Sequence, residues 1–182
     1  MIPGKALLAW FACLLLVTAA QVRAQEPDAH EVVRAATEEV MAVVREARDY
    51  ADEDPERYYQ SVLAVLDPVV DFRGFARGVM GPYATSERYR SLDEAGREQL
   101  RGQLDRFTDV MRDGLVRTYS KSLIEFRDQT IRYLPQDVPP TATKASVKAE
   151  VIQPGGPSIP LSYSVRVKGD TWKVYDIQVH DV

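Results

Sequence analysis

The sequence has few of the side chains that build catalytic and metal centres. Its 182 residues include one cysteine, Cys13, and two histidines, His30 and His180. A single cysteine excludes a disulfide scaffold and a cysteine-based zinc site. Two histidines so far apart in the chain offer little for metal binding or for acid–base catalysis. We therefore expect neither a metal ion nor another cofactor.

Nucleotide-binding and hydrolase motifs are missing as well. The chain contains no Gly-x-Gly-x-x-Gly, phosphate-binding-loop, His-Glu-x-x-His or Gly-x-Ser-x-Gly sequence. Asp176 falls in an otherwise apolar stretch, so it is either a structural hydrogen-bond partner or a catalytic base in a cavity. The formal net charge of -4 argues against a nucleic-acid-binding protein, which needs a basic face.

The first 24 residues have the three parts of a secretory signal peptide. Lys5 and Arg23 flank an apolar run over 6–20, which is short for a membrane span of about 20 residues. The small or permissive residues at 22–24 suit a peptidase cut near Ala24. We expect a secreted mature domain over 25–182 without cysteine, and a retained membrane anchor is the alternative.

The first part of the mature chain has helical periodicity. Asp28 predicts the start of one helix, and Asp54-Pro55 predicts the start of a second. A short amphipathic segment begins at Asp71, and Ser91 with Glu94 is interpreted as the capping box of the longest helix. The apolar stripe predicted for that helix consists of Leu100, Leu104, Phe107, Met111, Leu115, Tyr119, Leu123 and Phe126.

From Thr130 onward the apolar residues recur at every second position, which is typical of strands. Turn signals at 154–157 and 168–170 separate the longer strands. The alternation predicts that Trp172, Val174, Asp176 and Gln178 share one face of the last strand. Helices followed by an antiparallel sheet indicate a single α+β domain. Its apolar surplus fits either a solid core or a space for an apolar ligand, and periodicity alone does not choose.

Three segments, in order along the chain, carry a family resemblance. They are 71–83 (DFRGFARGVMGPY), 115–123 (LVRTYSKSL) and 172–177 (WKVYDI). Together they resemble the hallmarks of the MlaC-type (toluene-tolerance) family of periplasmic lipid carriers, over residues 30–182. Two departures stand out: relatives often have an aromatic residue where Ala84-Thr85 stands, and they usually continue past the last strand into another helix. We expect a more open pocket, or one that a partner closes.

The resemblance implies both a fold and a function. The fold is a curved C-terminal antiparallel sheet wrapped by N-terminal helices, similar to the nuclear-transport-factor-2-like (NTF2-like) folds. The function is that of a soluble, non-enzymatic periplasmic carrier that holds a phospholipid or a hopanoid-type lipid by its apolar part. The implied partners are an outer-membrane lipoprotein complex and an inner-membrane ABC transporter complex.

The resemblance also suggests which side chains meet the lipid. Arg117 and Lys121, one helical turn apart, are expected at the head group, unless they are solvated or paired with Asp113 or Glu125. The residues expected to line the apolar pocket are Phe72, Phe75, Met80, Phe107, Met111, Leu115, Tyr119, Leu123, Tyr163, Val165 and Trp172.

Two alternatives from other functional classes stay open on the sequence. One is a cavity enzyme of the NTF2-like type, an isomerase or dehydratase, that uses Asp176 together with a tyrosine. The other is a lipid-free envelope adaptor with a filled core. Bound lipid, turnover, or neither would distinguish the three.

Overall fold

A run of helices precedes an antiparallel sheet, as predicted for a single α+β domain. The computed structural model describes residues 28–127, 129–139 and 141–180, and the expected signal peptide lies outside these ranges. The elements are α1 (Ala29–Ala47), α2 (Pro55–Leu66), α3 (Phe72–Met80), a 3-10 turn (Gly81–Ala84), α4 (Ser86–Ser91), α5 (Glu94–Leu123), β1 (Thr130–Tyr133), β2 (Lys144–Ile152), β3 (Ile159–Lys168) and β4 (Thr171–Val179). No helix in the described ranges is both long enough and apolar enough to cross a bilayer.

Helix α1 begins where the sequence predicts and connects the two halves of the fold. The Asp28 carboxylate caps the helix by accepting a hydrogen bond of 2.8 Å from the backbone N–H of Glu31. Near its start, Val33 packs on the sheet. Val40 and Val44, further along the helix, pack among the other helices. One amphipathic helix therefore contributes to two apolar clusters.

Helix α2 is fixed to α5 through a buried tyrosine. Asp54 caps α2 with a hydrogen bond of 3.1 Å from the N–H of Arg57, and Pro55 occupies the first turn. Tyr58 is almost fully buried, and its hydroxyl donates a hydrogen bond of 3.0 Å to the carbonyl oxygen of Ser120. Burial of this side chain raises the pKa of Tyr58 to about 12.

Replacing Tyr58 by phenylalanine is expected to lower the free energy of unfolding by about 1–2 kcal/mol. The ring still fills its site, but the carbonyl of Ser120 loses one of its two donors and keeps only the bond from the N–H of Ile124. Urea unfolding followed by circular dichroism measures the change. The neighbouring Tyr59→Phe variant is the control, with an expected change below about 0.5 kcal/mol for a partly exposed side chain. Equal losses in the two variants would contradict the role given to the buried bond.

The start of α5 differs from the prediction. Asp93, rather than Ser91, is the N-cap: its carboxylate accepts a hydrogen bond of 2.8 Å from the N–H of Gly96. The Ser91 hydroxyl instead donates to the carbonyl of Arg88 at 2.7 Å, which ends the short helix α4. The predicted capping box is therefore wrong, because the extended residue that precedes the helix carries a better capping side chain of its own.

The four strands form one antiparallel sheet in the order β1-β2-β3-β4. A short parallel segment extends it beyond β4: the N–H of Asp71 donates to the carbonyl of Val174 at 2.7 Å, and the N–H of Val174 donates to the carbonyl of Val69 at 2.9 Å. This segment leads directly into α3. The start of α3 is thereby bonded to the backbone of the last strand.

A bulge in the β3–β4 pairing reverses the predicted face of β4. Val165 pairs with Val174, but the preceding Ser164 pairs with Asp176, so Tyr175 is an extra residue on β4. Asp176 therefore lies on the outer face with Ser164, and the prediction that it shares a face with Trp172 is wrong. The extra residue shifts the in-and-out alternation of the β4 side chains by one position. The alternation of apolar residues in the sequence does not show where such a shift occurs.

The apolar residues form two buried clusters. The helical cluster contains Val62, Phe72 and Val116, among others, and joins α1, α2, α3 and α5. The sheet cluster contains Val147, Val165 and Val174 together with the first turns of α1. Half-buried Val70 packs against both clusters, at the point where the chain passes from α2 to the sheet edge.

Candidate functional site

The predicted pocket residues are divided between the two clusters and the surfaces beside them. Phe72 is buried in the helical cluster, and Leu123 packs against it. Val165 is buried in the sheet cluster, where Tyr163 and Trp172 pack around it. The half-buried members are Phe75, Met80, Phe107, Met111 and Leu115. The buried candidates are thus divided between the helical cluster and the sheet cluster, rather than gathered in one enclosed interior.

Tyr119 stands apart from the other predicted residues, since 63% of its surface is exposed. The buried residues of this part of α5 are Val116 and Ser120, which face α2. Earlier in α5, Leu100 and Leu104 are buried at the side that meets α3. Because the two halves of α5 pack on different helices, its buried side rotates along its length, and the single predicted stripe does not hold through Tyr119.

A cavity of about 400 Å³ lies where α3, α5 and the connection between α2 and α3 meet the β3–β4 turn. Val70 and Phe72 form part of its apolar wall, and Thr108 contributes from α5. The charged side chains that surround it are Asp67, Asp71, Arg73, Arg112, Lys168 and Lys173. Because most of its lining residues are charged, this cavity differs from the predominantly apolar pockets that hold apolar ligands.

Asp71 is the buried charge at this junction. Its side chain is 2% exposed and accepts hydrogen bonds from Arg166, from Lys168 at 2.8 Å and from the backbone N–H of Gly74 at 3.0 Å. Burial alone raises the pKa of Asp71, but the bonds from Lys168, Arg166 and Gly74 outweigh burial and hold the pKa at about 2. The carboxylate therefore stays ionised and ties α3 to the outer face of β3.

Glycine at position 74 is required by the closeness of this contact. A Cβ atom at Gly74 would lie 2.6 Å from the Asp71 carboxylate and would also meet Arg166. At the other end of α3, Gly81 has a φ of 51°, a backbone conformation that side-chain-bearing residues rarely adopt. The two glycines permit the tight start and the sharp end of this helix.

The two predicted head-group residues lie on the exposed surface of α5. Arg117 is already paired: its Nη1 atom lies 2.6 Å from Glu56 Oε2, and its guanidinium lies 5.3 Å from the Tyr59 ring centroid. Hydrogen bonds from Gln60 and Arg117 lower the pKa of Glu56 below its ordinary value. The partner of Arg117 is thus an α2 carboxylate rather than Asp113 or Glu125. Lys121 is exposed one turn further along.

The site offers little for catalysis or metal binding within the described ranges. No three side chains of His, Cys, Asp or Glu come together there in a way that would hold a metal ion. Asp176, the candidate base of the enzyme alternative, lies on the outer face and accepts a hydrogen bond of 3.0 Å from Gln178. It therefore does not share a cavity with Tyr163, which belongs to the inner face.

Two features of this region have little or no signal in the sequence. Arg166 and Lys168 alternate on the outer face of β3, where basic residues are ordinarily solvated, but both reach a buried carboxylate. Four arginines from α3, α4 and α5 converge on a second cavity of about 280 Å³. The one signal in the sequence was the helical spacing of two of them, Arg73 and Arg77.

Comparison with protein families gives a match over nearly all of the described chain. The family model described as "MlaC protein" matches residues 34–182. Among curated proteins, the chain is similar to the toluene tolerance protein ttg2D of Pseudomonas putida. The two are 26% identical over 178 residues, which cover 98% of this chain and 75% of that protein.

Among solved structures, the chain is similar to a phospholipid-binding protein from Ralstonia solanacearum that was solved in complex with a phospholipid. The TM-score is 0.67 at 26% sequence identity, and the match covers 84% of this chain and 78% of that one. The likeness therefore extends over the helices and the sheet together.

Proposed function

The chain belongs to the MlaC protein family, and from this premise we propose that it is a periplasmic phospholipid carrier rather than an enzyme. The observation that carries the proposal is the likeness to the Ralstonia protein, whose structure contains a phospholipid. That likeness covers both the helices and the sheet. The placement of Asp176 on the outer face, away from Tyr163, favours a carrier over the cavity enzyme.

The energetics explain why such a protein needs no catalytic group. Each buried CH₂ contributes about 0.8 kcal/mol, so one acyl chain of about 16 carbons contributes roughly 12 kcal/mol. Two chains would exceed the practical limit of non-covalent affinity, which is about 20 kcal/mol. A lipid held this strongly does not leave into water at a useful rate. Release requires another apolar path, which a membrane or a partner protein can offer. We propose an outer-membrane lipoprotein complex and an inner-membrane ABC transporter complex as the partners.

Lipid loading requires the helices and the sheet to move apart. Three cavities in the described part of the chain measure about 280, 270 and 400 Å³. Pockets for drug-sized ligands already span roughly 300–1,000 Å³, and a two-chain phospholipid is larger than such a ligand. We therefore infer that the acyl chains enter by separating half-buried side chains, among them Phe75, Phe107, Met111 and Leu115.

Flexible and exposed apolar side chains make this separation inexpensive. Met80 and Met111 have unbranched, polarizable side chains that adapt to chains of different shape. On the inner face of the sheet, Ile177 and Val179 stand opposite Tyr163 and Leu161 in the register and are both exposed. Apolar surface that already faces water at the end of the sheet would be covered by a bound chain, which adds to the affinity.

A vesicle transfer assay tests the proposal. Donor vesicles contain a labelled phospholipid, acceptor vesicles contain none, and the purified protein is added at increasing concentration. We expect a transfer rate that rises in proportion to protein concentration, with the phospholipid recovered intact at the end. Chemically altered lipid would favour the enzyme, and a rate independent of the protein would favour the lipid-free adaptor. A hopanoid-type lipid in the same assay tests the other cargo class.

A further inference from the structure

A cavity lined by arginines lies between α3, α4 and α5, on the side of the molecule where α4 folds against α5. Arg73 and Arg77 contribute from α3, Arg90 from α4 and Arg101 from α5, around a volume of about 280 Å³. We call these four residues and their cavity the arginine pocket. Its floor is apolar, formed by the buried side chains of Ala84, Leu100 and Leu104.

Three of the four guanidinium groups lack an acidic partner in the described part of the chain. Arg73 is paired with Asp105. No carboxylate oxygen of the described residues lies within 4 Å of the charged atoms of Arg77, Arg90 or Arg101. The chain as a whole carries a net charge of -4. Three cations without acidic partners within the described ranges surround one cavity in a protein whose net charge is negative. They create a local positive potential there.

The walls of the arginine pocket are held in place by hydrogen bonds. Arg97 donates to the carbonyl oxygens of Tyr89 and Arg90 at 3.1 and 3.0 Å, which fixes the end of α4 on α5. The Nη1 atom of Arg101 donates to the Tyr89 hydroxyl at 2.7 Å. Arg101 is thus oriented by a neutral partner and keeps its full charge. Hydrogen bonds thus fix Arg101 and the end of α4, and Arg77 and Arg90 are exposed at the edge of the pocket.

We propose that the arginine pocket binds a phosphate group. Planar guanidinium groups match the oxygen geometry of phosphate and donate two hydrogen bonds at once. The hydroxyl groups of Thr85, Ser86 and Tyr89 line the same cavity and supply further donors. The apolar floor can contact the carbon skeleton of a phosphate ester. A lipid head group and a free phosphate ester share this chemistry. The proposal for this pocket rests on its own residues and does not depend on acyl-chain binding elsewhere in the protein.

The test compares two doubly substituted proteins of equal charge. Arg77→Gln combined with Arg90→Gln removes two exposed pocket cations, neither of which makes an ion pair in the described structure. The control, Arg34→Gln combined with Lys144→Gln, removes two exposed cations from α1 and β2. Isothermal titration with inorganic phosphate and with glycerol 3-phosphate measures affinity at low ionic strength. We expect the pocket variant to bind at least about tenfold more weakly, and the control to stay within about twofold of the parent protein.

Sedimentation with phosphatidylglycerol vesicles identifies the source of the phosphate. Pocket-dependent binding to vesicles supports a lipid head group, whereas pocket-dependent binding of the soluble ligands alone supports a free phosphate ester. The proposal is overturned if the parent protein binds neither probe, or if the control variant loses as much affinity as the pocket variant. Phospholipid that co-purifies with the parent protein is measured on the same sample. That measurement tests the carrier function separately from phosphate binding in the arginine pocket.

Discussion

Replacing Met111 by aspartate is expected to empty the protein of phospholipid. Met111 is half-buried on α5, and it is one of the residues that we propose to contact an acyl chain. A carboxylate there would have to be stripped of water against the chain, at a cost of several kcal/mol. We expect the phospholipid that co-purifies with the protein to fall by at least about tenfold, measured by extraction and mass spectrometry.

The adjacent residue provides a matched control for Met111→Asp. Val110 lies on the same helix but is 72% exposed, so Val110→Asp adds the same carboxylate to α5 on its solvent side. This variant should keep its lipid. Thermal unfolding of both variants checks that the loss of lipid is not a loss of fold. Full retention of lipid by a folded Met111→Asp variant would remove α5 from the proposed entry path.

Replacing Asp71 by asparagine is expected to lower the free energy of unfolding by about 2 kcal/mol at neutral pH. Asparagine still caps α3, so the change removes mainly the charge. Arg166 and Lys168 then lose their buried partner, but their side chains are 34% and 54% exposed and can turn to water. This relief keeps the loss below the 3–5 kcal/mol that is typical of breaking a fully buried pair. Chemical denaturation of the parent and variant measures the difference.

The pH dependence of this difference has a definite sign. The pKa of Asp71 is about 2 in the folded protein, below its ordinary value of 3.8. The stabilisation from its ionised form is therefore complete above about pH 4 and is lost as the pH falls from about 4 to about 2. The parent protein and Asp71→Asn should converge in stability over that range. Asp105→Asn, which breaks the surface pair with Arg73, should cost less than about 1 kcal/mol, and an equal loss in the two variants would contradict the role of burial.

Local chemistry accounts for the parts of the fold that could be predicted. The caps at Asp28 and Asp54 depend on one side chain and the next turn of helix, so both were predicted correctly. The cap of α5 was assigned to Ser91 because it precedes Glu94 by three residues, but Asp93 competes for the same role and occupies it. The local pattern predicts that a helix begins nearby. Which of two neighbouring residues caps it depends on backbone dihedral angles, which the pattern does not contain.

The faces of the sheet and of α5 depend on tertiary contacts, and these were predicted less well. The bulge at Tyr175 follows from the pairing of β4 with β3, and it moves Asp176 to the outer face. The rotation of the buried side of α5 follows from its packing on two different helices, and it leaves Tyr119 exposed. Periodicity within β4 or within α5 carries no information about the strand or the helices that pack against it.

The candidate site shows the same division between local and tertiary information. The half-buried apolar residues of α3 and α5 could be named from their helical spacing together with the family resemblance. The ion pairs of Asp71 with Arg166 and Lys168 join residues about 95 positions apart, and the arginine pocket assembles side chains from three helices. Contacts of this kind are set by how the elements dock, which the spacing of residues within one element does not specify.

Phospholipid binding can be tested by native mass spectrometry of the protein released from the periplasm without detergent. We expect a folded protein with a stoichiometric adduct of phospholipid mass that is recovered intact by organic extraction. The contradicting result is a folded protein whose mass is that of the polypeptide alone and which also takes up no phospholipid from added vesicles.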